Sequence, residues 1–282
     1  MLDKNKKILI VGLGLIGGSY AEGLTNNGYY VGCITRSASS IEYALDKGII
    51  KEGTTEIKEE MIKKYDLIIF ALYPKVFINW LENYQSFIKE GAIITDVTGV
   101  KESVVTKINS FLRKDIDFVP HHPMAGKETY GVKNSDAAIF KKANFIICYN
   151  DNKQESIDAI ESIGRILEFR RISYLTLKEH DEMIGFLSQL THCIAVVLMN
   201  AKDSEKLVDY TGDSFRDLTR IAKINEEMWT ELFLLNKVAL LKEMDSFINE
   251  FMKLRNAIQN DDEEAIKEMM KLSTLRRSYF DK

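Results

Sequence analysis

Residues 119–126 (VPHHPMAG) set His121 and His122 side by side between Pro120 and Pro123, in a chain with four histidines. Proline fixes its own φ and drives the residue before it into extended backbone, so two titratable rings share a stiff segment. A neutral imidazole, with an ordinary pKa of about 6.5, suits the removal of a hydroxyl proton. Residues 214–223 (SFRDLTRIAK) offer different chemistry. There Arg216 and Arg220 stand four apart and share a face of any helix. Two guanidiniums on one face suit a dicarboxylate, each able to grip a carboxylate with two bonds. Asp213 and Asp217 provide the competing reading, a self-neutralised surface. His192 lies in an apolar helical pattern on a face with Ser188, Ala195 and Gly185. That face suits a pocket lining or a satisfied core histidine equally. His180, in KEHDEM, reads as a structural residue near a helix start.

A third motif names the partner of such chemistry. Residues 11–20 (VGLGLIGGSY) contain Gly12-x-Gly14-x-x-Gly17 between the apolar run KILIV and a helical pattern. In that context the glycines permit a tight turn, close approach of a pyrophosphate and close helix–strand packing. Gly12, Leu13, Gly14, Leu15, Ile16 and Gly17 are therefore the expected dinucleotide cradle. An acid that would hold a ribose 2′-hydroxyl is expected at the end of the next strand. Thr35, Arg36 and Ser37 stand there instead. Arginine pairs with a 2′-phosphate, which favours NADP over NAD. A dinucleotide site implies hydride transfer, and a hydroxyl-bearing carbon that gives up hydride needs a base for its proton.

These residues need a scaffold. Short β-branched runs (KILIVG, YYVGCIT, DLIIFAL, AIITDV, DFVPHH, NFIICYN, EFRRIS) alternate with helical patterns that close on glycine. This predicts a mainly parallel sheet covered on both faces. After about Ser173 only helices are expected, near 178–202, 225–256 and 261–279. The fold class is α/β, with a Rossmann-type dinucleotide-binding domain over 1–173 and an all-helical domain over 174–282. Residues 184–199 are apolar nearly all round, and such a helix must be enclosed. A small helical domain rarely encloses one alone, so two copies are expected to pair through this half.

Composition narrows the function. The chain has 282 residues, 45% hydrophobic, with a net charge of −4. No long basic run favours nucleic acid. Cys33, Cys148 and Cys193 lack metal or redox spacing and read as buried thiols in a reducing compartment. The first residues run directly into a strand pattern, leaving no room for a signal peptide. The 184–199 segment is too short to span a membrane. A cytoplasmic protein without membrane, metal or nucleic-acid partners is expected.

VGLGLIGGS, TDVTGVK, HPMAGKETYGV followed by ANFIIC, EHDEMIGFLSQLTH and SFRDLTRIA…MW occur in this order. Together they resemble the prephenate dehydrogenase family, arogenate dehydrogenases included, over essentially the whole chain. The resemblance implies NAD(P)-dependent oxidative decarboxylation of prephenate to 4-hydroxyphenylpyruvate in tyrosine biosynthesis, by a homodimer joined through its helical domain. It makes His122 the catalytic histidine, His192 a substrate-pocket residue and Arg220 the binder of a substrate carboxylate. Arg216 falls where a basic residue reaches substrate or partner, and Glu128 matches an acid near the pocket mouth. One departure stands out: the family serine that assists the histidine is Gly99 here. Thr98 next door offers a hydroxyl in its place. Arogenate is the alternative substrate. A β-hydroxyacid-type dehydrogenase lacks a candidate lysine, and a non-catalytic NADP sensor would have no use for the histidines and arginines. One helix before Lys282 is expected to leave no room for a regulatory domain, so any inhibition by tyrosine would have to act at the active site.

Overall fold

The computed structural model describes residues 2–127, 129–149, 151–203 and 205–281. Six strands form one all-parallel sheet: β1 (Lys7–Val11), β2 (Tyr30–Ile34), β3 (Glu52–Thr54), β4 (Leu67–Phe70), β5 (Ile93–Asp96) and β6 (Asp117–Phe118), in the order β3-β2-β1-β4-β5-β6. Helices α1 (Leu15–Asn26), α2 (Ala38–Asp46), α3 (Glu59–Ile62), α4 (Pro74–Tyr84), α5 (Glu102–Asn109) and α6 (Gln154–Ile166) accompany it. Alternation along β1 divides the core. Ile8 and Ile10 face Tyr20 and Leu24 of α1 and Ile160 and Ile163 of α6. Leu9 and Val11 face Phe77 and Trp80 of α4 and Val104 and Ile108 of α5. Both faces are covered, so the strands read as continuous apolar runs. β3 went unread because Glu-Gly-Thr carries no apolar pattern. The strand order reverses between β1 and β4, which opens a crevice at their carboxyl ends, where ligands gather in open sheets.

The expected strand DFVPHH is two strands in two sheets. Phe118 pairs with β5, and the Val119 amide still donates to Ile94. Pro120 has no amide to continue the ladder. The chain then enters β7 (His121–Pro123), which pairs antiparallel with β8 (Asn144–Tyr149), itself parallel to β9 (Arg171–Thr176). β9 runs three residues past the expected boundary at Ser173 and delivers the chain directly to the next helix.

That helix opens with a capping box. The Thr176 hydroxyl accepts the Glu179 amide, and the Glu179 carboxylate accepts the Thr176 amide. α7 (Leu177–Ile184) continues through a π-helical segment, Gly185–Leu190, into α8 (Thr191–Asn200). The uninterrupted run of 24 residues is long and apolar enough to cross a membrane, contrary to the reading of residues 184–199 alone. Only 28% of its most apolar window is buried within this chain, and Phe186, Leu187 and Val197 are exposed. The expected enclosure is therefore not provided by the chain itself. After α9 (Asp213–Thr219) come α10 (Glu226–Leu235), α11 (Lys237–Gln259) and α12 (Glu263–Arg277). The single helix expected over 225–256 breaks at Asn236. The side chain of this buried residue donates to the Asp181 main-chain oxygen at 2.9 Å and to Gln189 Oε1 at 2.8 Å. Cys33 and Cys148 are buried as expected, whereas Cys193 is only partly covered.

Candidate active site

Neighbouring residues of a strand point to opposite faces, and β7 separates its two histidines on that basis. His121 enters the core and is fully buried. Its Nε2 lies 2.7 Å from the Tyr20 hydroxyl, its Nδ1 lies 2.6 Å from Thr95 Oγ1, and its ring stacks on Phe145. Burial, reinforced by Lys101, holds it well below the ordinary histidine value, so it is neutral. Both nitrogens are committed, and His121 is a structural residue.

His122 faces the helical half. Its Nδ1 lies 2.9 Å from Nε2 of His180, whose own Nδ1 lies 2.7 Å from Asp181 Oδ1. His122 keeps part of its surface open, and its Nε2 has no hydrogen-bond partner among the described residues. Burial pushes its pKa well below 6.5, with His180, Lys101 and His121 pushing the same way. A neutral imidazole with one uncommitted nitrogen is what a general base requires. His180 is also held down by burial, against the opposing pull of Asp181. Asp181 accepts the main-chain amides of Lys101 and Glu102, each at 2.8 Å, at the amino end of α5. His180 does sit near a helix start, as read from the sequence, but its contact with His122 was not foreseen.

Thr98 makes no hydrogen bond to His122. Its hydroxyl is buried against the Asp96 carboxylate and lies 2.9 Å from the Val100 carbonyl oxygen. Asp96, at the end of β5, is paired with Lys101 at 2.7 Å, and both side chains are fully buried. Thr98 thus ties a turn around an internal ion pair. Gly99 approaches the site more closely: a Cβ there would sit 4.0 Å from His122 Cε1 and 3.6 Å from the methyls of Leu232 in α10. The position has room for a small side chain and has none.

The helical half contributes His192, the second residue of α8. Its Nδ1 lies 2.8 Å from the Ser188 carbonyl oxygen, and its ring lies on Trp229 of α10 at 3.8 Å between centroids. The π-helical turn just before it resets the helix face; such turns frequently occur at functional sites. Arg220 opens a 3₁₀ turn that packs on α8. Arg216 is on the exposed surface, with Nη2 2.6 Å from Asp213 Oδ1 and Nη1 3.1 Å from the Thr211 carbonyl oxygen. Its guanidinium therefore follows the self-neutralised reading. The expected site residue Glu128 lies outside the described residues.

The cofactor end is built as the motif requires. Gly12 has φ +99°, and a Cβ there would meet the Ala71 carbonyl oxygen at 2.3 Å. A Cβ on Gly17 would lie 2.0 Å from the Gly12 oxygen. Gly14 differs, since no atom lies within 4 Å of its added Cβ. No side chain caps the amino end of α1, which Leu15, Ile16 and Gly17 begin. Leu13 is buried in the core beside the turn. The open space at Gly14 and the uncapped amides fit a pyrophosphate. Gly14→Val is therefore expected to leave Tm nearly unchanged while raising the dinucleotide Kd at least about tenfold, a loss of about 1.4 kcal/mol. Gly17→Ala is expected to cost about 1–3 kcal/mol of stability through overpacking. Thermal unfolding with and without dinucleotide separates the two. Beyond β2, Thr35 donates its amide to the Thr54 carbonyl oxygen. The Ser37 hydroxyl is the N-cap of α2, accepting from the Ser40 amide at 3.2 Å and the Ser40 hydroxyl at 2.9 Å. Arg36 is exposed, with no ion-pair partner among the described residues.

Residues 20–171 match the family model "Prephenate dehydrogenase, nucleotide-binding domain", and residues 176–272 match "Prephenate dehydrogenase, dimerization domain". The chain is 30% identical over 271 residues to a prephenate dehydrogenase of Lactococcus lactis, covering 93% of this chain and 73% of that protein. It is 28% identical over 286 residues to a cyclohexadienyl dehydrogenase of Zymomonas mobilis, covering 96% and 95%. Among solved structures, prephenate dehydrogenase from A. aeolicus with hydroxyphenyl propionate and NAD+ superposes with a TM-score of 0.89 at 27% identity, covering 98% of each chain. The two domain models lie in order across most of the length, over His122 and the helical half alike, and the chain belongs to the prephenate dehydrogenase family.

Proposed function

We infer that this protein catalyses the NAD(P)-dependent oxidative decarboxylation of prephenate to 4-hydroxyphenylpyruvate, with His122 as general base. The observation that carries this reading is the neutral His122 ring with its Nε2 uncommitted, held at the junction of the two halves. Prephenate carries a hydroxyl and a hydrogen on one ring carbon, and a carboxylate on the carbon across the ring. His122 Nε2 accepts the hydroxyl hydrogen bond and draws the proton as electron density leaves that carbon. The bound dinucleotide supplies the hydride acceptor. The bond to the ring carboxylate breaks, CO2 departs, and its electron pair completes the aromatic ring. The proton returns to the phenol oxygen, so His122 ends neutral. Aromatisation drives the step, which leaves the protein the work of alignment and polarisation. Arg220, on its turn against α8, is assigned to a substrate carboxylate, and His192 on Trp229 to the pocket wall. Arg216 and Glu128 have weaker claims: the first is already paired, and the second rests on the sequence resemblance. The division at about Ser173, between a cofactor half and a helical half, accords with these roles.

NADP is the favoured cofactor. Arg36, exposed just past β2 and without an ion-pair partner among the described residues, suits a 2′-phosphate, and no acid stands there to hold a 2′-hydroxyl. Ser37 contributes less than its type suggests, because its hydroxyl already caps α2. Arg36→Ala is expected to raise KM for NADP about tenfold, about 1.4 kcal/mol of binding, with KM for NAD little changed. A clear NAD preference in the unaltered protein would sink this assignment. The exposed apolar residues of the long helix support a homodimer formed through the helical half, in a cytoplasmic enzyme. Assays of prephenate and arogenate, each with NAD and with NADP, test the reaction and the substrate together. No turnover of either substrate would refute the reading.

A further inference from the structure

We propose that His180 and Asp181 are positioning residues for His122: Asp181 sets the tautomer of His180, and His180 holds the His122 proton on Nδ1, so that Nε2 is presented as the base. The proposal rests on the reading of His122 as the base.

The argument runs from donors and acceptors alone. Asp181 receives main-chain N–H bonds on both carboxylate oxygens, from Lys101 on Oδ1 and from Glu102 on Oδ2. It therefore acts as an acceptor, and the His180 nitrogen facing it at 2.7 Å must donate. A neutral His180 with its proton on Nδ1 has a lone pair on Nε2. The His122 Nδ1 facing that lone pair at 2.9 Å must in turn donate. Only Nε2 of His122 is then left as a base. When it takes a proton, the ring keeps its Nδ1–H on the His180 acceptor and so stays aimed through the step. The orienting role of an aspartate behind a catalytic histidine is thus carried out here through a second ring.

The pair is held rigidly. His180 is fully buried and Asp181 nearly so, on the first turns of a capped helix. The Asp181 carboxylate is anchored at the amino end of α5 and its main-chain oxygen by Asn236. Other orienting groups are lacking among the described residues: Thr98 is bound to Asp96 and Val100, and Gly99 has no side chain. The charged or titratable groups acting on the two rings are Lys101, Asp96, Asp181 and His121.

Two substitutions separate the halves of the contact. Gln places its amide near the His Nε2 position, and Asn places its amide near Nδ1. His180→Gln keeps an acceptor for His122, whereas His180→Asn keeps only the partner of Asp181. His180→Asn is expected to lower kcat about 10–100-fold, the usual cost of losing a supporting partner, with KM little changed. His180→Gln is expected to retain most of the kcat that His180→Asn loses. Equal kcat in the two variants, or a loss that merely follows Tm, overturns the proposal. His122→Asn measured alongside tests the underlying reading separately, since near-normal kcat there removes the base itself. Imidazole ¹⁵N spectra of the unaltered protein need no variant to fold. They are expected to show both His122 and His180 protonated on Nδ1, and a proton on Nε2 of neutral His122 overturns the proposal.

Discussion

His122→Asn is expected to lower kcat about 10²–10⁴-fold, the range for a positioned general base, with KM changed far less. Asparagine can occupy β7 and donate or accept hydrogen bonds, but it cannot take the hydroxyl proton at neutral pH. Substrate carboxylates are assigned to other residues, which is why binding should survive. The pH dependence has a definite sign. Burial, His180, Lys101 and His121 all hold the His122 pKa well below 6.5. The neutral, active form therefore predominates at pH 7, and activity is lost as pH falls through that lowered value. The kcat profile of the unaltered enzyme should be flat near neutrality, with its acid limb below pH 6.5. A variant that kept near-normal kcat, or an unaltered enzyme whose acid limb lay above pH 7, would be incompatible with His122 as the base.

The adjacent histidines show what could be read in the sequence and what could not. Their stiff setting was legible from Pro120 and Pro123. Their separation into a core ring and a site ring needed β7, because which face points inward depends on register with β8. The parallel sheet was legible because strands buried on both faces announce themselves as apolar runs. The change of sheet at Pro120 was hidden within one such run. The glycine turn was legible because each glycine answers a local steric demand, seen at Gly12 and Gly17. Thr98 offers a hydroxyl by type, but which partners that hydroxyl meets, Asp96 and Val100, is set by the fold of the turn and not by local pattern. His180 was overlooked for a similar reason. Its partner is 58 residues away, and no local pattern reveals a contact between a strand of one half and a helix of the other. The capping box at Thr176 and Glu179 was a signal for where α7 starts, and hence for how His180 and Asp181 are aimed.

Lys101→Met is expected to be the most destabilising of the changes considered. The Lys101 ammonium and the Asp96 carboxylate are both fully buried, 2.7 Å apart. Removing one partner of such a pair leaves an uncompensated buried charge and costs about 3–5 kcal/mol. At about 2–4 °C per kcal/mol for chains approaching this size, Tm should fall by roughly 10 °C. Asp96 is poorly placed to absorb the loss, because its Oδ1 already lacks a hydrogen-bond partner. The double variant Asp96→Asn/Lys101→Met removes the stranded charge and is expected to regain a substantial part of the stability. The same change reaches the active site. Lys101 is one of the groups that depress the pKa of His122, so its loss should raise that value and move the acid limb of kcat upward. In the single variant the remaining Asp96 carboxylate should add to the upward movement, which the double variant should lessen. A double variant no more stable than Lys101→Met would mean that the stranded carboxylate is not what the single variant suffers from. An acid limb that stayed in place would mean that the buried ion pair and the histidine are electrostatically independent.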